Sequence, residues 1–432
     1  MALHKIGAAM QSLVLAMNSD AVSSVPQQLL AQRRPGYSSP RAFYRDPALY
    51  ALELERIWQQ GWIFAGHACE LPQPGDYITF SIDVTPVLVI RDEDGAVRAF
   101  HNVCRHRGTV LLGEAAGHVR KLVCPYHQWT YARNGALLAC HGMQELDKES
   151  LGLKPLAVEE CEGLIFVSLA AHPSAFAPAR ELIAPFARPL QLGRCKIARI
   201  MDFEVAANWK LVWENNRECY HCNIGHPQYI RANYDIHEEA LASAAVRERI
   251  AAAAQRSEAR WAEQGLAATH REGGLAPFPD PANHVWYSAN RTLLAEGFQT
   301  ESMDGRRVAP LLPGYDDEDV GVVRMRTMPN FWNHSSCDHA VSTRLLPAGQ
   351  QKTLVRVYWL VHQDAREGVD YDCERLLPFW QLTGGQDWKL CERAQRGVNS
   401  TGYEPGPLST LREYNVEALL QWYLQQMRAA PV

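Results

Sequence analysis

The chain has 432 residues, 47% of them hydrophobic and 21% charged, with a formal net charge of -5. That length exceeds one ordinary hydrophobic core and predicts two domains, and the proportions are those of a soluble globular protein. The mildly acidic balance excludes a basic footprint for nucleic acid or an anionic membrane surface, and no apolar run approaches the roughly 20 residues that span a bilayer.

Eleven cysteines, an odd number spread without paired spacing, argue against a secreted disulfide framework and for a reducing cytoplasm. Residues 1–40 read as a flexible amino-terminal segment. Within it, IGAAMQSLVLAM (residues 6–17) is interrupted by Gln11 and Ser12 and lacks a cleavage pattern, so it is not read as a secretory signal. PALYALELERIWQQ (residues 47–60) predicts a helix behind a proline. From about Gly75 the period shortens. DYITFSID, PVLVIRD, AVRAFHNV, KLVCPY and LIFVSL are short, β-branched or aromatic, and parted by turn signals such as DEDG and RNG. These predict a small antiparallel β domain, placed with its leading helix at 41–175. The remainder, 176–432, is a second domain with a strand near Ile197–Val205, one helix over 208–222, and an Ala- and Arg-rich helix within 237–266. Strands follow at GVVRMRTM, HAVSTRLL and TLVRVYWLVH, and helices at about 370–396 and 409–428. The class is therefore α+β.

Two constellations carry chemistry. HNVCRHRG (residues 101–108) and VCPYHQW (residues 123–129) form C-x-H, 17 intervening residues, then C-x-x-H, over Cys104, His106, Cys124 and His127. Each half brings one thiolate and one imidazole to a tight turn between strands. Two thiolates on one iron and two imidazoles on the other suit a two-iron, two-sulfur centre of raised potential. Four such ligands also suit zinc, but zinc fingers usually pair Cys with Cys and His with His, whereas each half here mixes them. The other nine cysteines read as core residues.

NWKLVWENNRECYHCNIGHP (residues 208–227) holds the second. Glu218 and His221, three apart, share a face of the predicted helix. His226 is off that face unless Gly225 and Pro227 end the helix and turn it back. A facial iron(II) site needs two imidazoles and a carboxylate, with positions left open for dioxygen. Spacing alone leaves Asp364, Asp370, Asp372, Asp387 and Glu392 as candidates for that carboxylate.

With both motifs in this order, the chain from about Pro40 onward resembles the Rieske non-haem iron oxygenases of the ring-hydroxylating α-subunit type. The resemblance implies a small antiparallel β domain carrying the [2Fe-2S] cluster ahead of a helix-grip-like catalytic domain, an antiparallel sheet with flanking helices. It selects Asp387 of GQDWKLCERAQRG as the third ligand of a mononuclear Fe(II), and dioxygen as co-substrate. It also implies a homotrimer in which an acid, here Glu218, bridges a neighbour's cluster His127 to His221. Most relatives place Asp at that position, and Glu is associated with the branch acting on quaternary ammonium compounds.

The blocks RRPGYSSPRAFYRD, ENNRECYHC, MPNFWNHSSCDHAV and QDWKLCERAQRGVNS resemble the glycine betaine and stachydrine demethylase group in particular. Trp286, Tyr287, Phe331 and Trp332 are then candidates for an aromatic cage around a quaternary nitrogen, against the plain alternative that most of the twelve tryptophans are core. An aromatic acid or a choline-like alcohol is the alternative substrate. No G-x-G-x-x-G turn or plant-type ferredoxin cysteine pattern occurs, so NAD(P)H electrons would come from a separate flavin and iron-sulfur reductase, with Arg105, Arg107, Arg120 and Lys121 as a possible docking face.

Overall fold

The structure, a computed structural model, describes residues 25–143, 145–233, 243–268 and 287–428. Trp286 lies outside them. Near the amino terminus, residues 25–31 are helical and Leu30 is buried. Arg33 forms a two-pronged ion pair with Glu417, almost four hundred residues later, with Nη1 2.9 Å from Oε1. From residue 25 on, the expected flexible lead-in is instead packed against the carboxy-terminal helix.

Helix α1, Pro47–Glu53, begins where Asp46 caps the amides of Ala48 and Leu49, behind a proline whose fixed φ suits the first turn. The amino-terminal domain then contributes β1 (Trp62–His67), β2 (Asp76–Ile82), β3 (Thr85–Arg91), β4 (Val97–His101), β5 (Ala116–His118), β6 (Leu122–Val123), β7 (Thr130–Tyr131), β8 (Leu137–Ala139), β9 (Pro155–Cys161) and β10 (Leu164–Ser168). Seven form one antiparallel sheet in the order β1-β10-β9-β4-β3-β2-β5, and β6-β7-β8 form a small second sheet. Leu88, Ile90, Phe100, Trp129, Tyr131 and Leu137 fill the space between them.

The second domain is one antiparallel sheet of six strands in the order β11-β16-β15-β14-β13-β12. The strands are β11 (Cys195–Val205), β12 (Tyr287–Thr292), β13 (Val322–Thr327), β14 (Phe331–Ser335), β15 (Ala340–Pro347) and β16 (Thr353–His362). Helices are α2 (Ala177–Ala187), α3 (Trp209–Asn216), α4 (Pro227–Ala232), α5 (Ala244–Glu263), α6 (Pro378–Asn399) and α7 (Tyr414–Arg428). Strand alternation divides the sheet's two faces. Val323, Met325, Phe331, Tyr358 and Leu360 pack with α2 and with Phe64 and Phe166 of the first domain. Trp332, Val341, Leu345, Val357 and Trp359 face the other way, into a core shared with α3, α6 and α7. The α+β class and the two-part architecture agree with the sequence expectation. Strands β12 and β14 were not expected, because YSANRT and FWNHS show no apolar alternation.

The N-W-K segment is a structural bolt. Asn208 caps α3 through Lys210 N. The Lys210 ammonium and the Trp209 indole both reach Glu53 of α1, at 2.5 and 2.8 Å, and the Tyr423 hydroxyl of α7 donates to the same carboxylate at 2.7 Å. Glu53 is fully buried and Lys210 nearly so, so each charge depends on the other.

Candidate metal centres

The two cluster loops are near copies of one turn. Cys104 N donates to Thr109 O and Gly108 N returns to Cys104 O; Cys124 N donates to Trp129 O and Gln128 N returns to Cys124 O. In each loop the residue four beyond the cysteine has positive φ, 74° at Gly108 and 59° at Gln128, which closes the chain tightly enough to bring Cys and His together. Cys104 and Cys124 are both buried in the domain core, while the imidazoles lie toward the rim with ring centroids 4.6 Å apart. Trp129 stacks on His106 at 4.9 Å with the planes nearly parallel. The Tyr131 hydroxyl lies 3.3 Å from Cys104 Sγ, placed to donate to a thiolate. His106 Nδ1 is buried without a hydrogen-bond partner, a state that a metal bond resolves. Two buried sulfurs and two neighbouring imidazoles fit a [2Fe-2S] group bound through both residue types.

The second centre differs from the expected single helix. Helix α3 stops at Asn216, and Glu218 does not share a helical face with His221. Instead the Glu218 carboxylate folds a turn, accepting from Tyr220 N, from His221 N at 3.4 Å and from the His221 ring at Nδ1, 2.5 Å away. His226 follows a short turn over Cys222–Gly225 and precedes α4, so Gly225 and Pro227 do turn it back. Asp387 projects from α6. The three expected ligand atoms converge: His221 Nε2 is 3.1 Å from His226 Nε2 and 3.2 Å from Asp387 Oδ1, and His226 Nε2 is 2.8 Å from the same oxygen.

Each histidine has a second partner on Nδ1. A carboxylate oxygen can only accept, so Glu218, 2.5 Å away, takes the proton on His221 Nδ1 and leaves Nε2 as the atom that iron would bind in place of its proton. Gln386 Oε1 does the same for His226 Nδ1 at 2.7 Å, and is itself held by Gln228 Nε2 at 3.0 Å. Gln386 escaped the sequence reading, although its position beside Asp387 was a usable signal.

Burial disfavours a charge on His221, but hydrogen bonds with Asp387 and Glu218 outweigh it and push the imidazole up to about 10. His226 is raised against its burial in the same way by Asp387, while Asp387 is held below the usual carboxylate range by the two histidines despite being buried. The point where the three donors meet thus favours positive charge. A divalent iron, displacing protons, satisfies it with the facial two-histidine, one-carboxylate set.

Two expectations need correction. Cys219 and Cys222, read as core cysteines, are joined in a disulfide that brackets Tyr220 and His221. Cys222 Sγ lies 4.0 Å from His221 Nε2, but as a disulfide sulfur it offers no thiolate. The proposed aromatic cage also divides. Phe331 faces away from the candidate ligand atoms, 4.3 Å from Phe64 in the interdomain core, and Tyr287 lies on that same side. Trp332 alone of the described three is on the metal side, 5.1 Å from Trp213 and 6.5 Å from Trp388. Trp380 and Trp388 of α6 and Tyr229 of α4 are further rings on this side that the sequence reading passed over, Trp380 being 6.0 Å from Tyr229.

Fold and site together define an oxygenase with a [2Fe-2S] site and a mononuclear iron site. Comparison with known proteins agrees. Residues 61–150 match the Rieske [2Fe-2S] domain and residues 192–429 the ring hydroxylating alpha subunit catalytic domain. The chain belongs to the Rieske non-haem iron oxygenases. It is 41% identical to the glycine betaine monooxygenase oxygenase subunit of Chromohalobacter salexigens, over 94% of this chain and 89% of that one. It is 39% identical to the corresponding subunit of Pseudomonas aeruginosa, over 92% and 91%. Among solved structures it resembles a quaternary ammonium Rieske monooxygenase bound to gamma-butyrobetaine, with a TM-score of 0.66 and 22% identity, covering 94% of this chain and 99% of that one. Among the described residues, no helix is long and apolar enough to cross a membrane.

Proposed function

We propose that this chain is the cytoplasmic terminal oxygenase of a multicomponent mono-oxygenase that removes an N-methyl group from a betaine, of the glycine betaine or proline betaine type. The observation that carries the reading is the likeness, along nearly the whole chain, to two glycine betaine monooxygenase oxygenase subunits. The rings of Trp332, Trp380, Trp388 and Tyr229 on the metal side of the sheet support it, because an aromatic face attracts a quaternary ammonium.

When bound, the cluster supplies single electrons and the mononuclear iron supplies the centre at which dioxygen is reduced. In the overall change, one N-methyl group, dioxygen, two electrons and two protons give an N-hydroxymethyl product and water, and that product releases formaldehyde, a proton and the tertiary amine. His221, His226 and Asp387 would hold the iron. Glu218 and Gln386 keep the Nδ1 protons in place. The surrounding indoles exclude bulk water, which limits loss of reducing power to side reactions.

The electrons come from a flavin and iron-sulfur reductase oxidising NAD(P)H, docked over the exposed Arg107, Arg120 and Lys121. The assembly is a homotrimer, in which Glu218 accepts from the partner subunit's His127 as well as from His221. The position of Glu218 in a surface turn beside the exposed Tyr220 supports this bridge. Purified protein supplied with a reductase, NADH and glycine betaine or proline betaine should release formaldehyde in step with NADH loss. A fully iron-loaded protein that yields none from any betaine defeats the demethylase reading.

A further inference from the structure

The metal side of the catalytic sheet carries an unbalanced positive charge. Alternation along β13 puts Arg324 and Arg326 on that face, opposite His334 and Trp332 of β14 respectively. Arg324 is accounted for. Its Nη2 donates to Asn233 Oδ1 at 2.8 Å and lies 3.9 Å from the buried carboxylate of Glu301, which also takes Asn233 Nδ2 at 3.1 Å and sits 3.7 Å from His334 Nδ1.

Arg326 is not. Among the described residues it has one hydrogen-bond partner, Asn216 Oδ1 at 3.3 Å, and no carboxylate within ion-pair range. Its charged neighbours are cations, Arg324 beside it and the buried Arg217. Burial, and then repulsion from Arg324, push its guanidinium down to about 10. A half-buried cation in such company is stabilised by a ligand that brings an anion.

The position of Arg326 suits the substrate of the reaction. Asn216, which it touches, follows Asn215, whose Nδ2 is 3.5 Å from the His221 Nε2 ligand atom. Trp332, its cross-strand neighbour, is in ring contact with Trp388, the residue after Asp387. A cation and aromatic rings therefore share the face of the sheet that α3 and α6 cover, and a betaine carries the complementary pair, a carboxylate and a quaternary nitrogen.

We propose that Arg326 binds the carboxylate of the substrate while the Trp332 and Trp388 rings receive its ammonium end, so that the site selects betaines over uncharged-tail analogues such as choline. This rests on the demethylase reading above and adds the group that decides among quaternary amines. A planar guanidinium pairs with a carboxylate through two parallel hydrogen bonds, which fixes orientation as well as affinity, whereas an ester or alcohol cannot complete that pairing. Holding both ends keeps the N-methyl groups turned toward one place.

The test uses the full-length oxygenase with cluster and iron loaded. Formaldehyde release gives kcat and KM for glycine betaine, its methyl ester and choline, and titration calorimetry gives glycine betaine binding without turnover. The wild type should favour glycine betaine over the methyl ester by at least about ten-fold in kcat/KM. Arg326→Gln should raise the glycine betaine KM by a similar factor and lower its kcat, leave the ester's kinetics little changed, and be partly restored by Arg326→Lys. Equal use of betaine and ester by the wild type, or an equal effect of Arg326→Gln on both, overturns the carboxylate site and leaves the demethylase reading standing. A wild type that neither binds nor demethylates any betaine overturns that reading, and the carboxylate site with it. If Arg326→Gln does not fold, the wild-type comparison of betaine with ester decides alone.

Discussion

Replacing Glu218 by Gln separates two duties of one side chain. The carboxylate accepts the His221 Nδ1 proton at 2.5 Å and also serves the backbone amides of Tyr220 and His221. Gln keeps the length and one acceptor oxygen but loses the charge. Hydrogen bonds to charged groups contribute about 1.5–3 kcal/mol and neutral ones about 0.5–1.5 kcal/mol, so the change removes about 1–2 kcal/mol from the partner that orients His221. Iron affinity should fall by roughly 5–30-fold, the factor to which that loss converts. Metal titration followed by elemental analysis measures that loss. The second duty, the proposed bridge to a neighbouring cluster, is measured by stopped-flow absorbance of the reduced cluster when dioxygen and glycine betaine are added. Saturating iron should refill the Glu218→Gln site, yet cluster reoxidation should stay slow while the cluster spectrum is unchanged. If saturating iron restores reoxidation to the wild-type rate, Glu218 only supports His221 and the bridging argument is refuted.

Lys210→Met should destabilise the fold by about 3–5 kcal/mol, because it leaves the fully buried Glu53 carboxylate with the Trp209 and Tyr423 donors but no counter-charge. Guanidinium unfolding measures this, and a loss below about 1 kcal/mol contradicts the bolt. Phe331→Ala, emptying a site packed against Phe64, should cost about 3–5 kcal/mol of stability and leave the betaine KM unchanged. Trp332→Ala, on the metal side, should raise that KM selectively. The reverse pattern of KM effects would show that strand alternation has been misassigned.

The cluster was legible because its ligands are local. Four residues within 24 positions bring their own turns, and the structure gives the two loops the same hydrogen bonds. His221 and His226 were legible for the same reason. Asp387 was not, since it lies 161 residues beyond His226 and no spacing rule reaches that far, so the resemblance selected it among nearby acids.

The misreadings have physical causes. The helix expected over 208–222 ends at Asn216, because Glu218 satisfies the following amides in a turn of its own and the Cys219–Cys222 link closes the loop. Side-chain direction at Phe331 and Trp332 depends on a one-residue register that β14 conceals, being buried on both faces with Asn333, His334 and Ser335 inside. Those polar residues survive there through internal bonds, such as Asn333 Nδ2 to Ser342 Oγ at 3.0 Å. The uncompensated charge on Arg326 was invisible until strand pairing put it on the metal side.

The central claim is that electrons held by the cluster are spent at the mononuclear iron on a betaine methyl group. A single turnover tests it most directly. Oxygenase reduced chemically, freed of reductant and mixed with glycine betaine and dioxygen, should return its cluster to the oxidised spectrum and release formaldehyde in the same phase. Asp387→Ala should keep the reduced cluster and release none. Formaldehyde from the Asp387→Ala protein, or cluster oxidation in the wild type without any formaldehyde, would contradict the account.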